Sequence, residues 1–389
     1  LEGDPLGRPY ECIYFETIYC KGGIILSSTI QSYRITRYEY PRSRIIGDSQ
    51  VRIDWNYYGT LELTSSSGHV GLGFFGALFQ PLPPLVELNR VFEREIAPSV
   101  IGQNPFSLAN RVTRPRGGNI GRSMFAEAIN QACWDLQGKE LNMPLYQLLG
   151  GTRNRIPAYA SGLDYHLKTD EVCNFFAAAA IKGFSAFKIK VGHPDLNWDI
   201  ERLRAIWDAV GEGATFMVDA NEAWSPKEAI RRLHAYRDAG ITNILWIEDP
   251  CLRDDFEGLA LVAQEVPFMH INSGEYLDAH GKRQLMEHRA VDMLNIHGNI
   301  TETMRAGWMA SELGIPVTLG NTFCELGVHM ACALPEALWL EYSFLDWNAL
   351  VEQPIEFKDG YAIAPDRPGH GLTISEAARK EYARTEPVK

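Results

Sequence analysis

Two lysines stand two residues apart in "AFKIKVG" (186–192). In an extended chain Lys188 and Lys190 share a face, roughly 7 Å from each other. Like charges so placed repel, and a second ammonium favours the neutral, basic form of its neighbour. Further along, single ionisable residues close apolar stretches: Asp219 in "TFMVDA", Glu248 in "NILWIEDP", Glu275 in "FMHINSGE" and His297 in "VDMLNIHG". Three carboxylates gathered in one place raise one another's pKa and resist burial unless a cation sits among them. An all-oxygen donor set suits Mg2+, with Mn2+ as the alternative, rather than zinc. The chemistry expected is abstraction of a proton next to a carboxylate. Lys190 is then the general base, depressed in pKa by Lys188 and the dication; Lys188 and the metal hold the charge that builds on the carboxylate, and His297 is an acid or base on the other face.

The elements that must position these residues follow a β-then-α rhythm. Strands are expected at 157–161, 186–192, 215–220, 243–250, 268–275, 291–298, 316–322 and 338–343. Helical patterns separate them at 169–182, 198–210, 226–239, 253–265, 278–288, 301–313 and 324–334, the third opening with Ser225-Pro226-Lys227-Glu228 as a capping box. Strand starts recur every 22 to 29 residues, the repeat of a parallel barrel. A doubly wound sheet would share the rhythm but would usually carry a glycine-rich phosphate turn, which is absent. In a barrel, residues at the C-terminal strand ends line one mouth, and strand six lies across from strand two, so His297 is expected to face Lys190.

No helix follows the eighth strand. Residues 354–365 read as a hairpin around Asp359-Gly360, and the amphipathic stretch 123–151 is expected to close the ring instead. Upstream, 31–41 and 51–74 alternate like antiparallel strands, hinged at Ser66-Ser67-Gly68, and 84–112 reads as helical. The fold class expected is α/β: a modified TIM barrel, (β/α)7β, with an N-terminal α+β capping domain. The divisions are 1–122 for the cap, with 1–30 an unassigned extension, 123–353 for the barrel, and 354–389 for a tail returning to the cap.

Composition narrows the partners. The 389 residues are 46% hydrophobic and 22% charged, an ordinary globular mixture, and the net charge of −12 disfavours nucleic-acid and anionic-membrane surfaces. The seven cysteines (12, 20, 133, 173, 251, 324, 332) are scattered without metal or disulfide spacing, which points to reduced thiols in the cytoplasm. No targeting segment or membrane span is read, since the apolar runs are short.

The motifs "KIK" (188–190), "VDAN" (218–221), "IEDP" (247–250), "SGE" (273–275) and the approach 131–151 resemble the enolase superfamily, mandelate racemase subgroup, from about residue 31 to about 375. The resemblance implies that Asp219, Glu248 and Glu275 bind Mg2+, Lys190 is the base, and Lys188 assists it and meets the substrate carboxylate. It also places Asn221 near the metal and Glu325, in "NTFCELG", on the substrate carboxylate, with Asn321 counted among the substrate-binding residues. The subgroup pattern puts an Asp at the end of strand six and a His at the end of strand seven; here those places hold His297 and Gly320-Asn321, so the dyad is absent and His297 looks relocated. The muconate lactonizing branch has a lysine where "NIH" stands, but it usually has Asp as the third metal ligand. The activity implied is dehydration of an aldonic or aldaric acid to a 2-keto-3-deoxy acid. Racemisation or epimerisation, and cycloisomerisation, use the same enolate. A degraded barrel kept for binding is the non-enzyme alternative. The partner implied is a small-molecule carboxylate, and the family is commonly homo-oligomeric.

Each residue also has a plainer reading. A lone Lys-X-Lys is usually a solvated strand face, a lone acid an ion pair or cap, and a lone histidine a satisfied core residue. Asp249 and Asp292 are expected to be of that kind, as is His329 in a helix. His166 and His193 are read as exposed, and Arg42 and Arg44 as a solvated loop that could otherwise cover the site. For Lys190 and the three carboxylates, recurrence at successive strand ends favours chemistry.

Overall fold

The structure, a computed structural model, describes residues 28–76, 79–111 and 124–387. Cys12, Cys20 and nearly all of the unassigned N-terminal extension lie outside the described residues. The cap consists of β1 (Ile30–Gly47), β2 (Arg52–Ser65) and β3 (Val70–Phe75), followed by the short helices α1 (Leu85–Val91) and α2 (Pro105–Ala109). The stretch expected to be one helical region is broken between them by a π-helical turn at 92–96 and a 3-10 turn at 97–99. Next come α3 (Ala126–Glu140) and α4 (Leu145–Leu148).

The barrel strands are β4 (Arg155–Ser161), β5 (Ala186–Lys190), β6 (Thr215–Asp219), β7 (Ile244–Glu248), β8 (His270–Ser273), β9 (Met293–Ile296), β10 (Val317–Leu319) and β11 (Ala337–Tyr342). They pair in chain order, all parallel, and β11 pairs back onto β4 through Leu340 opposite Ala158, so the ring is closed. Between them run α5 (Thr169–Ile181), α6 (Leu196–Val210), α7 (Pro226–Asp238), α8 (Phe256–Glu265), α9 (Ala279–Glu287), α10 (Ile300–Glu312) and α11 (Gly327–Ala333). Ser225 caps α7 with Pro226 at its first position, as the sequence pattern predicts. This is the expected α/β fold, an eight-stranded closed barrel with a β-rich N-terminal cap.

The chain then forms the hairpin β12 (Glu356–Lys358) and β13 (Tyr361–Ile363), the latter antiparallel to β4. It ends in α12 (Glu376–Glu381) and β14 (Ala383–Arg384), which pairs with β1.

Helix α3 does not replace the eighth barrel helix. It lies against the cap's edge strand: a Cβ at Gly71 or Gly73 would strike the backbone of Ala132 or Ala128, so glycine on alternate residues of β3 lets the helix in. Asp135 and Gln131 of α3 then accept the otherwise unpaired amides of Leu72 and Phe74 at 2.9 and 2.8 Å, which covers the sheet edge. One apolar core lies between the cap sheet and α3; another runs between the barrel strands and their helices. No helix among the described residues is long and apolar enough to cross a membrane, and the five described cysteines are free.

Candidate active site

The alternation along β5 explains why two lysines can be buried there. Phe187 and Ile189 face the helices, and the Phe187 ring meets Phe176 of α5 at 5.6 Å, while Ala186, Lys188 and Lys190 face the barrel axis. Inside the barrel, Tyr159, Met217, Trp246 and Met293 form an apolar floor. One step toward the C-terminal ends, the inward positions turn polar: Lys188, Glu248, Asn272, Asn295, Thr318 and Glu341 are each 2% exposed or less. Buried polar groups are costly unless they satisfy one another, and most of the bonds are present, the Asn272 and Asn295 amide oxygens being the exceptions among these six. Lys188 Nζ donates to both Glu248 oxygens at 2.9 and 3.0 Å and lies 3.2 Å from Glu341 and 3.4 Å from Asp219. Asn295 donates to Glu248 at 3.0 Å and Asn272 to Thr318 at 2.9 Å.

Lys190 Nζ donates to Asp219 Oδ2 and Asn221 Oδ1, both at 2.6 Å. Asn221 and Glu222 (φ 45° and 64°) and Asp249 (φ 39°) hold left-handed backbone just past the strand ends, a conformation that costs a non-glycine residue. That turn also lets the Asn221 amide donate to Asp219 at 2.9 Å. Asp249 points away from the cluster, paired with Arg253 at 2.8 Å and bonded by Ser273, as expected of an ordinary buried ion pair.

Burial disfavours the charge on every group here, and neighbours decide the outcome. Burial pushes the Glu248 carboxyl well up, helped by Asp219 and Glu341, although Lys188 opposes it. Burial likewise lifts Glu275 to about 7 against the pull of Lys188. Asp219 goes the other way, because Lys190 and Lys188 outweigh its burial. Both lysines lie above their ordinary range: burial pulls them down, but Glu248 and Glu341 lift Lys188, and Asp219 lifts Lys190. Among the protein's own groups the carboxylates around Lys190 outweigh the neighbouring ammonium.

Lys188, Lys190, Asp219, Asn221, Glu275 and Asn321 line a common cavity of about 240 Å³, with Glu248 beneath it on Lys188. His297 is not in it. The imidazole lines an adjoining cavity of about 460 Å³, and Phe79, Tyr276 and Asn321 border both. The Tyr276 ring packs edge to face against the imidazole at 5.4 Å, and the nearby Glu275 backbone favours its protonated form. The ring is partly exposed to the cavity yet densely surrounded, and burial together with Lys282 lowers its pKa to about 4. Glu325 is not brought to the cluster either: it lines a third, separate cavity.

Two residues of the site escaped the sequence reading. Glu341, at the end of β11, bonds Lys188 and accepts the Asn321 amide at 3.1 Å, taking the place expected for Glu325. Its signal was present: it lies two residues after the inward Trp339, the same strand-end position as the other acids. Glu127, on α3, borders the 460 Å³ cavity beside His297; Gln131 donates to it at 2.7 Å, and burial lifts it to about 7. No strand pattern points to a helix residue of the preceding segment. His329, as expected, is structural, accepting the Tyr146 amide at 3.2 Å. Arg42 and Arg44 are not in a solvated loop but near the end of β1: Arg42 is buried and donates to Trp55 O at 3.0 Å, and Arg44 donates to Ser343 O at 3.2 Å.

Comparison with known proteins agrees with this geometry. Residues 172–378 match the enolase C-terminal domain-like family, and 50–150 match the mandelate racemase / muconate lactonizing enzyme N-terminal domain. The chain belongs to the enolase superfamily, in its mandelate racemase subgroup. It is 32% identical over 300 residues to an L-talarate/galactarate dehydratase of Salmonella typhimurium, covering 74% of each chain. Other curated relatives are a cycloisomerase and a dipeptide epimerase. A structure from Mesorhizobium loti, solved as a candidate mandelate racemase, superposes with TM-score 0.89 at 53% identity, covering 93% of this chain and 96% of that one. An L-talarate dehydratase from Polaromonas sp. JS666, complexed with Mg and L-glucarate, superposes with TM-score 0.79 at 28% identity over 92% and 98% of the two chains.

The residues fit a hard dication by charge and donor type. Four carboxyls (Asp219, Glu248, Glu275, Glu341) face two ammoniums (Lys188, Lys190), so the fully ionised cluster is two positive charges short, and the raised Glu248 and Glu275 show that strain. Among the described residues, no three His, Cys, Asp or Glu side chains close on one point at metal-ligand spacing. Lysine ammoniums stand between the acids instead.

Proposed function

We propose that the protein is a Mg2+-dependent dehydratase of an aldonic or aldaric acid. The observation that carries this reading is the buried, cation-deficient cluster of Asp219, Glu248, Glu275 and Glu341 around two lysines at the barrel mouth. Asp219, Glu248 and Glu275 would hold the ion, which when bound supplies Lewis-acid stabilisation of a substrate carboxylate as it takes on negative charge. Mn2+ would fit the same oxygen donors.

Lys188, fixed by Glu248 and Glu341, offers an ammonium to that carboxylate. Lys190 takes the α-proton. To do so its amine must first shed a proton, which requires weakening the bond it makes to Asp219. The C–H electron pair becomes the Cα–Cβ double bond, the β-hydroxyl leaves, and a proton delivered from the His297 side makes it water. The enol then ketonises to a 2-keto-3-deoxy acid. The relatives named as acid-sugar dehydratases support this choice.

Two observations favour a second reading, racemisation or epimerisation. The adjoining cavity is walled by Phe79, Tyr276, Phe323 and Trp347, which suits an apolar substituent better than a polyol, and an imidazole with a pKa near 4 is a base, not an acid, at neutral pH. His297 would then take or return the α-proton opposite Lys190.

The deciding experiment incubates aldonic, aldaric and N-acylamino acids with enzyme and Mg2+ in D2O. Formation of a 2-keto acid from a sugar acid supports the dehydratase. Deuterium incorporation with stereoisomer as the only product overturns it in favour of the second reading. No exchange with any carboxylate overturns both and leaves a binding protein. His297→Asn should cut 2-keto acid formation about 100-fold while leaving α-exchange by Lys190 within about tenfold.

A further inference from the structure

A larger cavity, of about 750 Å³, lies on the flank of the barrel beside the segment that follows β11, where a regular barrel would carry its eighth helix. Glu325 lines it. The residue is only 4% exposed, and among the described residues its carboxyl makes neither a hydrogen bond nor an ion pair; burial alone lifts its pKa, to about 8. A buried polar group without a protein partner costs stability unless a water, an ion or a ligand meets it. The neighbouring acid, Asp346, differs: it accepts the Ser43 amide and hydroxyl at 2.9 and 2.7 Å.

Two cations flank the same space: Arg44, which feels Asp164 and Asp346 without a direct ion pair, and Lys182, which is exposed and makes no ion pair among the described residues. The Arg44 guanidinium lies 4.5 Å over the Phe175 ring, and its Nη1 is buried with no acceptor. Lys182 Nζ lies 5.8 Å from the Phe344 ring, and the rings of Phe175 and Phe344 are 5.1 Å apart edge to face. The wall continues through Tyr342, 4.7 Å from Phe344, and Phe184 stacked on Phe357 at 3.7 Å. The cavity thus presents an acid without a hydrogen bond or ion pair among the described residues, a guanidinium with one free buried nitrogen, an exposed ammonium and a continuous aromatic wall, in the size range of small-ligand sites.

We propose that this cavity is a second ligand site, distinct from the reaction cavity, that takes a small zwitterion with a flat apolar side group, of the aromatic α-amino-acid class. The ligand carboxylate sits between Arg44 and Lys182, its ring lies against the aromatic wall, and its ammonium meets Glu325. Trp347 borders both this cavity and the one that holds His297, so the two sites share a wall but no charged residue.

The test is calorimetric titration of the full-length protein with L-tryptophan, indole-3-propionate, which lacks the ammonium, and tryptamine, which lacks the carboxylate. L-tryptophan is expected to bind at least about tenfold more tightly than either truncated probe. Glu325→Gln should weaken L-tryptophan by about tenfold and leave indole-3-propionate unchanged; Lys182→Ala, at an exposed rim position, should weaken both acids and spare tryptamine. If Glu325→Gln does not fold, the Lys182→Ala pattern decides alone. Failure of all three probes to bind, or equal L-tryptophan affinity in the folded variants and the parent, overturns the proposal. Either result leaves the reaction-cavity reading untouched, because α-proton exchange is measured on different molecules.

Discussion

The barrel mouth and the flank cavity bury acids in opposite ways. At the mouth, Asp219, Glu248 and Glu341 are each tied to a lysine, and the cluster as a whole lacks positive charge. On the flank, Glu325 is also buried, and among the described residues it makes no side-chain hydrogen bond or ion pair. The difference teaches that burial alone does not identify a reactive acid. The mouth is organised around charge that must be present, whereas the flank tolerates its acid by keeping it neutral.

The comparison breaks most readily at Lys190. Lys190→Ala should lower α-proton exchange, followed by NMR in D2O, by roughly 10²- to 10⁴-fold, while Mg2+ affinity by calorimetry changes little. Glu248→Gln tests the charge deficit itself: it removes a proposed metal ligand and leaves Lys188 with Glu341 and Asp219 alone, so Mg2+ binding should weaken by more than the roughly 10- to 100-fold typical of an outer-shell change.

The flank gives the converse result through pH. Glu325 ordinarily titrates near 4.5 and is raised to about 8 in the fold. Below the lower value both states hold the proton; between the two only the unfolded chain gives it up, so this group costs the native state progressively more stability until pH 8. Glu325→Gln should therefore match the parent near pH 4 and exceed it by a few kcal/mol near pH 9, read from denaturant unfolding. An unchanged difference across that range would mean that the acid is paired after all. The smallest effect expected is that of Glu127→Gln, which should alter KM a few-fold with kcat nearly constant, if Glu127 only borders the substrate's distal part.

The strands were legible because each interior strand is apolar on its outer face and breaks that pattern only where it meets the mouth. Lys188, Lys190, Asp219 and Glu248 stand out for that reason, and the structure brings them together. Glu341 obeys the same rule, but a second glutamate sixteen residues earlier drew the role assigned by resemblance; only the three-dimensional register separates Glu325 from it. His297 follows the end of β9, so its ring reaches the continuation of the cavity rather than the carboxylates, a displacement that strand counting cannot resolve.

One strand has a mechanical consequence for access. β1 runs unbroken in chain order from the cap's outer core to Gly47, whose amide donates to Leu163 O at 2.9 Å at the rim of the reaction cavity, and near its middle it is also clasped by β14 from the chain's other end. A tether anchored at both places cannot swing the cap aside as a rigid lid without unzipping. Entry and release of small molecules are therefore left to local movement around Gln50, which donates to Asn221 O at 2.6 Å, while the cap body stays docked.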